Sequence, residues 1–374
     1  MKQSIREFEA RGTRVATCSF GTQNRPCIRA FAAGALTFVM VLASQTAMAD
    51  EGGVSFWVPG LFGSLAAVPQ QPGWQVANIY YSDHVRAGGD VAFAREFEIG
   101  KIPLNLSAIL NASLKADVNF GFSIPAYVFA TPVLGGQLSV SMLGVYGVND
   151  TRLAGTLTGT IDGLPFPPRS DFITDTTWGF GDLYPMVSLR WNQGVNNWMV
   201  FLDGDIPVGA YQSTRLANIG IGHGAVDAGI GYTYFDQPGG HEFSAVLGFT
   251  ANLENTSTNY TNGVDMHLDW AASQFLNKQD FVGLVGYVYK QLSCDSGSGD
   301  HVGCFESQVI GIGPQIGHIF PINKDLQGYL NLKAYGEFAN EHRPDGWNVW
   351  LTFAISPAAP AAPAAATPKP MFTK

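Results

Sequence analysis

Asp265, His267 and Asp269 stand two residues apart, so in an extended chain their side chains share one face. Two carboxylates around an imidazole could bind a cation or hydrogen-bond a phenolic hydroxyl. Tyr287 and Tyr289 repeat the spacing, as do Tyr335 and Glu337, and their rings suit stacking on small aromatic solutes. The competing reading is a polar lining that selects nothing. A Ser-His-Asp hydrolase built on His267 would need an activated serine, and no sequence feature marks one. No Gly-rich loop opens a helix and no Cys/His spacing fits zinc or haem, so no cofactor, metal or catalytic role is expected.

The elements that carry these residues alternate with a period of two. Val264, Met266, Leu268 and Trp270 alternate with the Asp265 face, and Leu330 and Leu332 alternate with Asn331, Lys333 and Tyr335. From Leu104 to Ile124 every even residue is apolar, and every odd one except Ile109 is polar or glycine. Such alternation marks strands with a different solvent on each face. Strands of this length suit a transmembrane barrel, with the apolar face toward hydrocarbon and the polar face, Ile109 included, toward a wet lumen. Twenty-one extended residues reach roughly 70 Å, too far for one crossing. The stretch therefore predicts either one strand projecting past the membrane or an odd-length turn near Asn111–Asp117.

The composition agrees: 374 residues with 44 glycines, 12% aromatic and only 14% charged, and a mean hydropathy of +0.07. Beyond the N-terminal region no apolar run reaches helical spanning length, which leaves a closed antiparallel β-barrel as the membrane option. Segment counting gives about 12 strands, with 14 possible, in a single all-β domain over 74–356. Residues 50–73 read as an irregular segment packed in or against the barrel mouth, and 357–374 as a disordered Pro/Ala-rich tail. Short connections at 236–240, 277–280 and 323–326 alternate with long polar ones at 162–177, 208–222, 254–262 and 293–304, as periplasmic turns and external loops do. Trp178, Tyr184, Trp191, Trp198, Tyr232, Tyr234, Trp347 and Trp350 read as interfacial girdles. Asp182, Asp203 and Asp205, with Arg190 in reach on a neighbouring strand, could select ions at a constriction or tie the wall together, the second being the favoured reading, and Glu96 is expected to line the lumen.

Basic residues from Lys2 to Arg29, the apolar stretch 30–43 and Ala47-Met48-Ala49 read as a signal peptide over 1–49. Its removal leaves 15 Lys+Arg against 28 Asp+Glu, a balance that argues against nucleic acid as a partner. Cys294 and Cys304 remain, and an even pair in an exported chain reads as a disulfide closing a polar loop. A metal there would need further ligands, and only His301 is near.

Several strings are carried in order along nearly the whole exported chain: Gly181-Asp-Leu-Tyr-Pro185, Pro207-Val-Gly-Ala-Tyr211, Asp227-Ala-Gly-Ile-Gly-Tyr-Thr-Tyr234, Glu254-Asn-Thr-Ser-Thr-Asn-Tyr260, Gly286-Tyr-Val-Tyr-Lys-Gln291, Gly311-Ile-Gly-Pro-Gln315 and Glu337-Phe-Ala-Asn-Glu-His-Arg343. By these the chain resembles the outer-membrane family associated with the meta-cleavage pathway of phenol degradation. The resemblance implies an exported barrel that transports hydrophobic substrates. Val208 departs from the threonine more usual in that family, and the Pro/Ala tail replaces a terminal aromatic strand.

The resulting expectation is a non-enzymatic outer-membrane channel in a Gram-negative cell. Its partners are the lipid bilayer and small hydrophobic or aromatic solutes. Uptake would be passive, since neither a plug domain nor an energy-coupling motif is evident. The alternatives are a structural or general-diffusion barrel and an outer-membrane hydrolase. The first should have a filled lumen; the second should carry a Ser-His pair within hydrogen-bond reach at the outer rim.

Overall fold

The computed structural model describes residues 55–99, 102–161, 163–300, 304 and 306–359. The expected signal peptide, His301 and most of the C-terminal tail lie outside them. Ile109 and Glu96 lie outside the residues whose side chains are described.

Period-two segments become strands because each strand can satisfy its backbone only against neighbours. Among the described residues there are twelve: β1 (Gly73–Ile99), β2 (Ile102–Val128), β3 (Gln137–Ile161), β4 (Leu164–Gln193), β5 (Asn196–Asp205), β6 (Ala225–Asp236), β7 (His241–Asn252), β8 (Asp265–Phe275), β9 (Asp280–Gln291), β10 (Gln308–Pro321), β11 (Leu326–Glu341) and β12 (Asp345–Pro357). Each pairs antiparallel with its sequence neighbour, and β1 pairs with β12, so the barrel closes and leaves no edge. The turns at 129–136, 194–195, 237–240, 276–279 and 322–325 share one rim with Gly73 and Pro357. The long connections and the tips of β1–β4 share the other.

Leu104–Ile124 lies within one 27-residue strand, paired with β1 along its length and with β3 from Leu106 onward. The projecting strand therefore occurs, and the turn near Asn111–Asp117 does not. Its face assignment is corrected. Leu114 and Phe122 are buried inside, whereas Lys115 and Asp117 are exposed outside. Beyond the membrane the outer face meets water, so the polar side turns outward and the apolar side packs inward. The expected loop 162–177 is corrected for a related reason. Residues 164–177 form the first part of β4, paired with the end of β3 and exposed on both faces from Leu164 to Thr174, which erases alternation.

Within the membrane zone the ordinary parity holds on β5–β8. On β5, Trp198, Val200 and Leu202 face outward, while Asn197, Met199 and Phe201 are buried within. Trp178 and Trp347 are exposed outside, as girdles require. Trp350 and Tyr184 are corrections: both face the interior, Trp350 fully buried and Tyr184 beside Phe56.

The interior is not an open bore. Residues 55–70 run up through it from the short-turn rim. Gln70 bonds Gln137 near that rim, Ala67 N–H donates to Thr233 Oγ1, and Leu65 N–H donates to Glu242. Ser55, at the far end, lies beside Arg343 of the β11–β12 connection. From the opposite rim the 206–224 connection folds inward. Asp182 accepts the amides of Gly209 and Ile221, and Arg215 pairs with Asp175 at 2.5 Å. The irregular segment expected in or against the mouth therefore runs through the interior as a strap of some fifteen residues, too short for a domain.

Candidate functional site

The strap turns at Gly60, whose φ of +91° suits glycine. Two buried charges hold that turn from opposite sides. Asp269 on β8 accepts Gly60 N–H at 2.8 Å and Phe62 N–H at 3.0 Å. Lys333 on β11 donates from Nζ to Gly60 O at 2.6 Å, with the Leu61 and Phe62 carbonyls at 3.3 Å. Amides meet the carboxylate and carbonyls meet the ammonium, so both buried charges are compensated.

His267 lies one step along β8. Its Nε2 is 2.9 Å from Asp227 Oδ2, which also accepts Thr250 Oγ1 at 2.6 Å. Its ring stacks on Trp57 of the strap, with centroids 3.8 Å apart and planes 11° from parallel. Gly248 is its register partner, leaving the strand surface free for the ring. Asp265 accepts Asn252 Nδ2 at 2.8 Å. The three residues share the lumen face, but each engages a different partner.

An aromatic cluster lies beside the Gly60 turn. Tyr287 O–H donates to Glu337 Oε1 at 2.6 Å and accepts from Asn348 Nδ2 at 2.9 Å. Trp350 Nε1 donates to Asn348 at 2.9 Å. The Tyr287 and Tyr335 rings are 4.9 Å apart, and Gly311, opposite Tyr287 in register, gives that ring its place against the wall. Tyr289 lies under the Arg343 guanidinium at 4.3 Å. Tyr81 and Phe122 complete the cluster, with Val58 and Leu61 of the strap packed against it.

All seven lumen residues singled out by spacing therefore face the interior, and six are buried there; Glu337 is half-buried. Spacing missed Trp57, Asp227, Tyr81 and Trp350, which reach the site through the strap or across the barrel. Lys333 was legible by parity alone, two residues before Tyr335. Arg190 corrects an expectation: it donates to Ala66 O, Ser139 and Ser188, and forms no ion pair among the described residues. Cys294 and Cys304 are joined as a disulfide across 10 residues. With Glu306 they form the one close group of potential metal ligands found among the described residues, and the disulfide removes both thiolates.

A family model described as "Putative MetA-pathway of phenol degradation" matches residues 101–353. The chain belongs to this family. Comparison with curated proteins gives no match. Among solved structures, an outer-membrane channel from Pseudomonas putida F1 shares the family member's fold with a TM-score of 0.56 and 14% identity, covering 81% of this chain and 100% of that one. A FadL homologue from Pseudomonas aeruginosa aligns at 10% identity and a TM-score of 0.33, over 83% of this chain and 97% of that one. The likeness to the Pseudomonas putida channel is one of fold, a closed antiparallel barrel.

Proposed function

We propose that this protein is a Gram-negative outer-membrane channel for passive uptake of small hydrophobic, aromatic compounds, gated by the 55–70 strap. The carrying observation is the apolar inner face of β1–β3, where Tyr81, Phe122 and Val145 adjoin Tyr287, Tyr335 and Trp350. Water-filled barrels line their lumen with polar residues. An apolar stripe leading inward from projecting hairpins offers an aromatic solute a path that hydrated ions avoid. The family's link to phenol degradation supports the same substrate class.

The strap shapes the mechanism. Solute arriving along the stripe meets the tyrosine cluster, and passage requires the Gly60 turn to leave Asp269 and Lys333. That exchange needs no energy source, because displaced amides and carbonyls can be hydrated in the open lumen.

The filled lumen favours a second reading, a structural barrel without a substrate. Uptake of labelled phenol at limiting concentration, in a deletion strain with and without the gene, separates the two. The channel reading expects faster uptake with the gene, reduced by Tyr287→Ala with Tyr335→Ala. Equal uptake in all three strains sinks it.

A further inference from the structure

On the outer wall, away from the lumen, Ser82, His84 and Asp117 form a hydrogen-bonded chain. Ser82 and His84 stand two apart on the outward face of β1; His84 is opposite Asp117 of β2 in register, and Ser82 is opposite Asn119. Ser82 Oγ lies 3.3 Å from His84 Nε2, and His84 Nδ1 lies 2.5 Å from Asp117 Oδ1. The His84 ring is further fixed by stacking on Trp347, with centroids 4.2 Å apart. Asn119 Oδ1 lies 3.0 Å from Ser82 Oγ and accepts Tyr80 O–H at 2.7 Å. A nucleophile, a base and a carboxylate orienting that base is the arrangement of serine hydrolases.

The rows around this chain indicate what it would act on. One row toward the membrane, Tyr80, Tyr146 and Phe180 are exposed outside, forming an aromatic belt. An open groove of about 430 Å³ runs there, lined by Gly121, Leu330, Leu351 and Phe353 among others. One row away from the membrane, Arg86, Lys115 and Arg152 stand side by side on β1, β2 and β3. All three are exposed, and no salt bridge to them occurs among the described residues. Arg152 instead covers the Phe172 ring at 4.3 Å. Like charges in adjacent strands repel, so an anion bound across them is favoured. Asp345, opposite Arg86 on β12, disfavours the Arg86 end, so the anion's main partners are Lys115 and Arg152, with Asp117 and Asp150 in the next row.

We propose that Ser82, His84 and Asp117 form an acyl-ester hydrolase site for phosphorylated lipids of the outer leaflet. The acyl chain would occupy the groove and the phosphate the basic row. Ser82 Oγ attacks the ester carbonyl carbon while His84 Nε2 takes the hydroxyl proton. The tetrahedral intermediate collapses with cleavage of the ester C–O bond, and His84 returns the proton to the departing lipid alcohol. Water then attacks the acyl–Ser82 ester, its proton passing through His84 to Ser82 Oγ as the fatty acid leaves. Asp117 is a positioning residue: it holds the Nδ1–H tautomer so that Nε2 faces Ser82. The Ser82 hydroxyl has two acceptors in reach, and its rotation from Asn119 to His84 precedes attack.

The inference rests on the barrel's seating in the membrane, not on solute transport. The full chain, purified in detergent, is treated with a fluorophosphonate and mapped by mass spectrometry. It is also assayed for fatty-acid release from micellar diacyl phosphatidylethanolamine, from diacylglycerol and from a short soluble ester. Labelling at Ser82 is expected, abolished in Ser82→Ala, with release falling at least about 10⁴-fold. Asp117→Asn should lower kcat and alter its pH profile, with KM nearly unchanged. Arg86→Gln, Lys115→Gln and Arg152→Gln together should raise KM for the phospholipid on the order of a hundredfold, leaving the soluble ester unaffected. Heat-modifiable gel mobility confirms that each variant is folded. Absence of both labelling and release in folded wild type overturns the proposal. Equal KM for phospholipid and diacylglycerol overturns its phosphate part. Solute flux through Ser82→Ala should equal wild type, so failure of the channel reading shows separately.

Discussion

Asp269 Oδ1 accepts the backbone N–H of Gly60 at 2.8 Å, joining residues 209 apart in sequence. That bond turns a barrel strand and an irregular leader into a lumen with a strap through it. With Lys333 on the other side of the turn, closure is electrostatic at its centre and aromatic around it.

Asp269→Ala removes the acceptor for two strap amides and leaves the Lys333 ammonium held by strap carbonyls alone, with no carboxylate on the other side of the turn. A loss of about 2–4 kcal/mol is expected, together with higher ion conductance. Thermal unfolding in detergent and planar-bilayer recording measure the two effects. Unchanged conductance with lowered stability would mean that the strap does not gate.

Gly60→Ala places a β-carbon 3.1 Å from the Tyr335 ring and 3.2 Å from Tyr287, at a φ of +91°. The backbone conformation alone costs roughly 1–2 kcal/mol for an L-residue. Conductance should rise, and Tyr335→Ala in the same chain should recover only the part of the stability loss due to crowding. A double-mutant cycle in unfolding free energy reads that coupling.

Trp57→Ala removes a buried ring stacked on His267 and packed near Phe62 and Phe201. The cavity should cost about 3–5 kcal/mol, and Trp57→Phe much less. If the alanine variant melts like wild type, the strap contributes nothing to barrel stability.

Cys294→Ser with Cys304→Ser should open the 292–307 connection without unfolding the barrel. The closed loop is short, so the stabilisation it supplies is about 3 kcal/mol at most and acts on the loop. Limited proteolysis should cut the variant in this loop faster than wild type, while the barrel transition stays in place.

Period-two patterning made the strands legible, and with them a closed barrel of about twelve. Parity also placed Asp265, His267, Asp269, Tyr287, Tyr289, Tyr335 and Glu337 on the inner face, because a short membrane-spanning strand has hydrocarbon outside and only one face left. What those residues touch was not legible. Asp269 and His267 meet strap groups, Gly60 N and the Trp57 ring, more than 200 positions away in a segment with no periodic signal, and the others meet groups on other strands and connections of the barrel.

The sequence by itself determined that Leu104–Ile124 is extended chain between two unlike environments, since alternation is local and each residue carries its own hydropathy. Only the tertiary structure decided which environment lay on which side. Projection past the membrane put water against Lys115 and Asp117, and packing put Leu114 and Phe122 inside. The tertiary structure also decided that His84 lies opposite Asp117, because strand register follows from the closed hydrogen-bond ladder and not from either strand's own pattern.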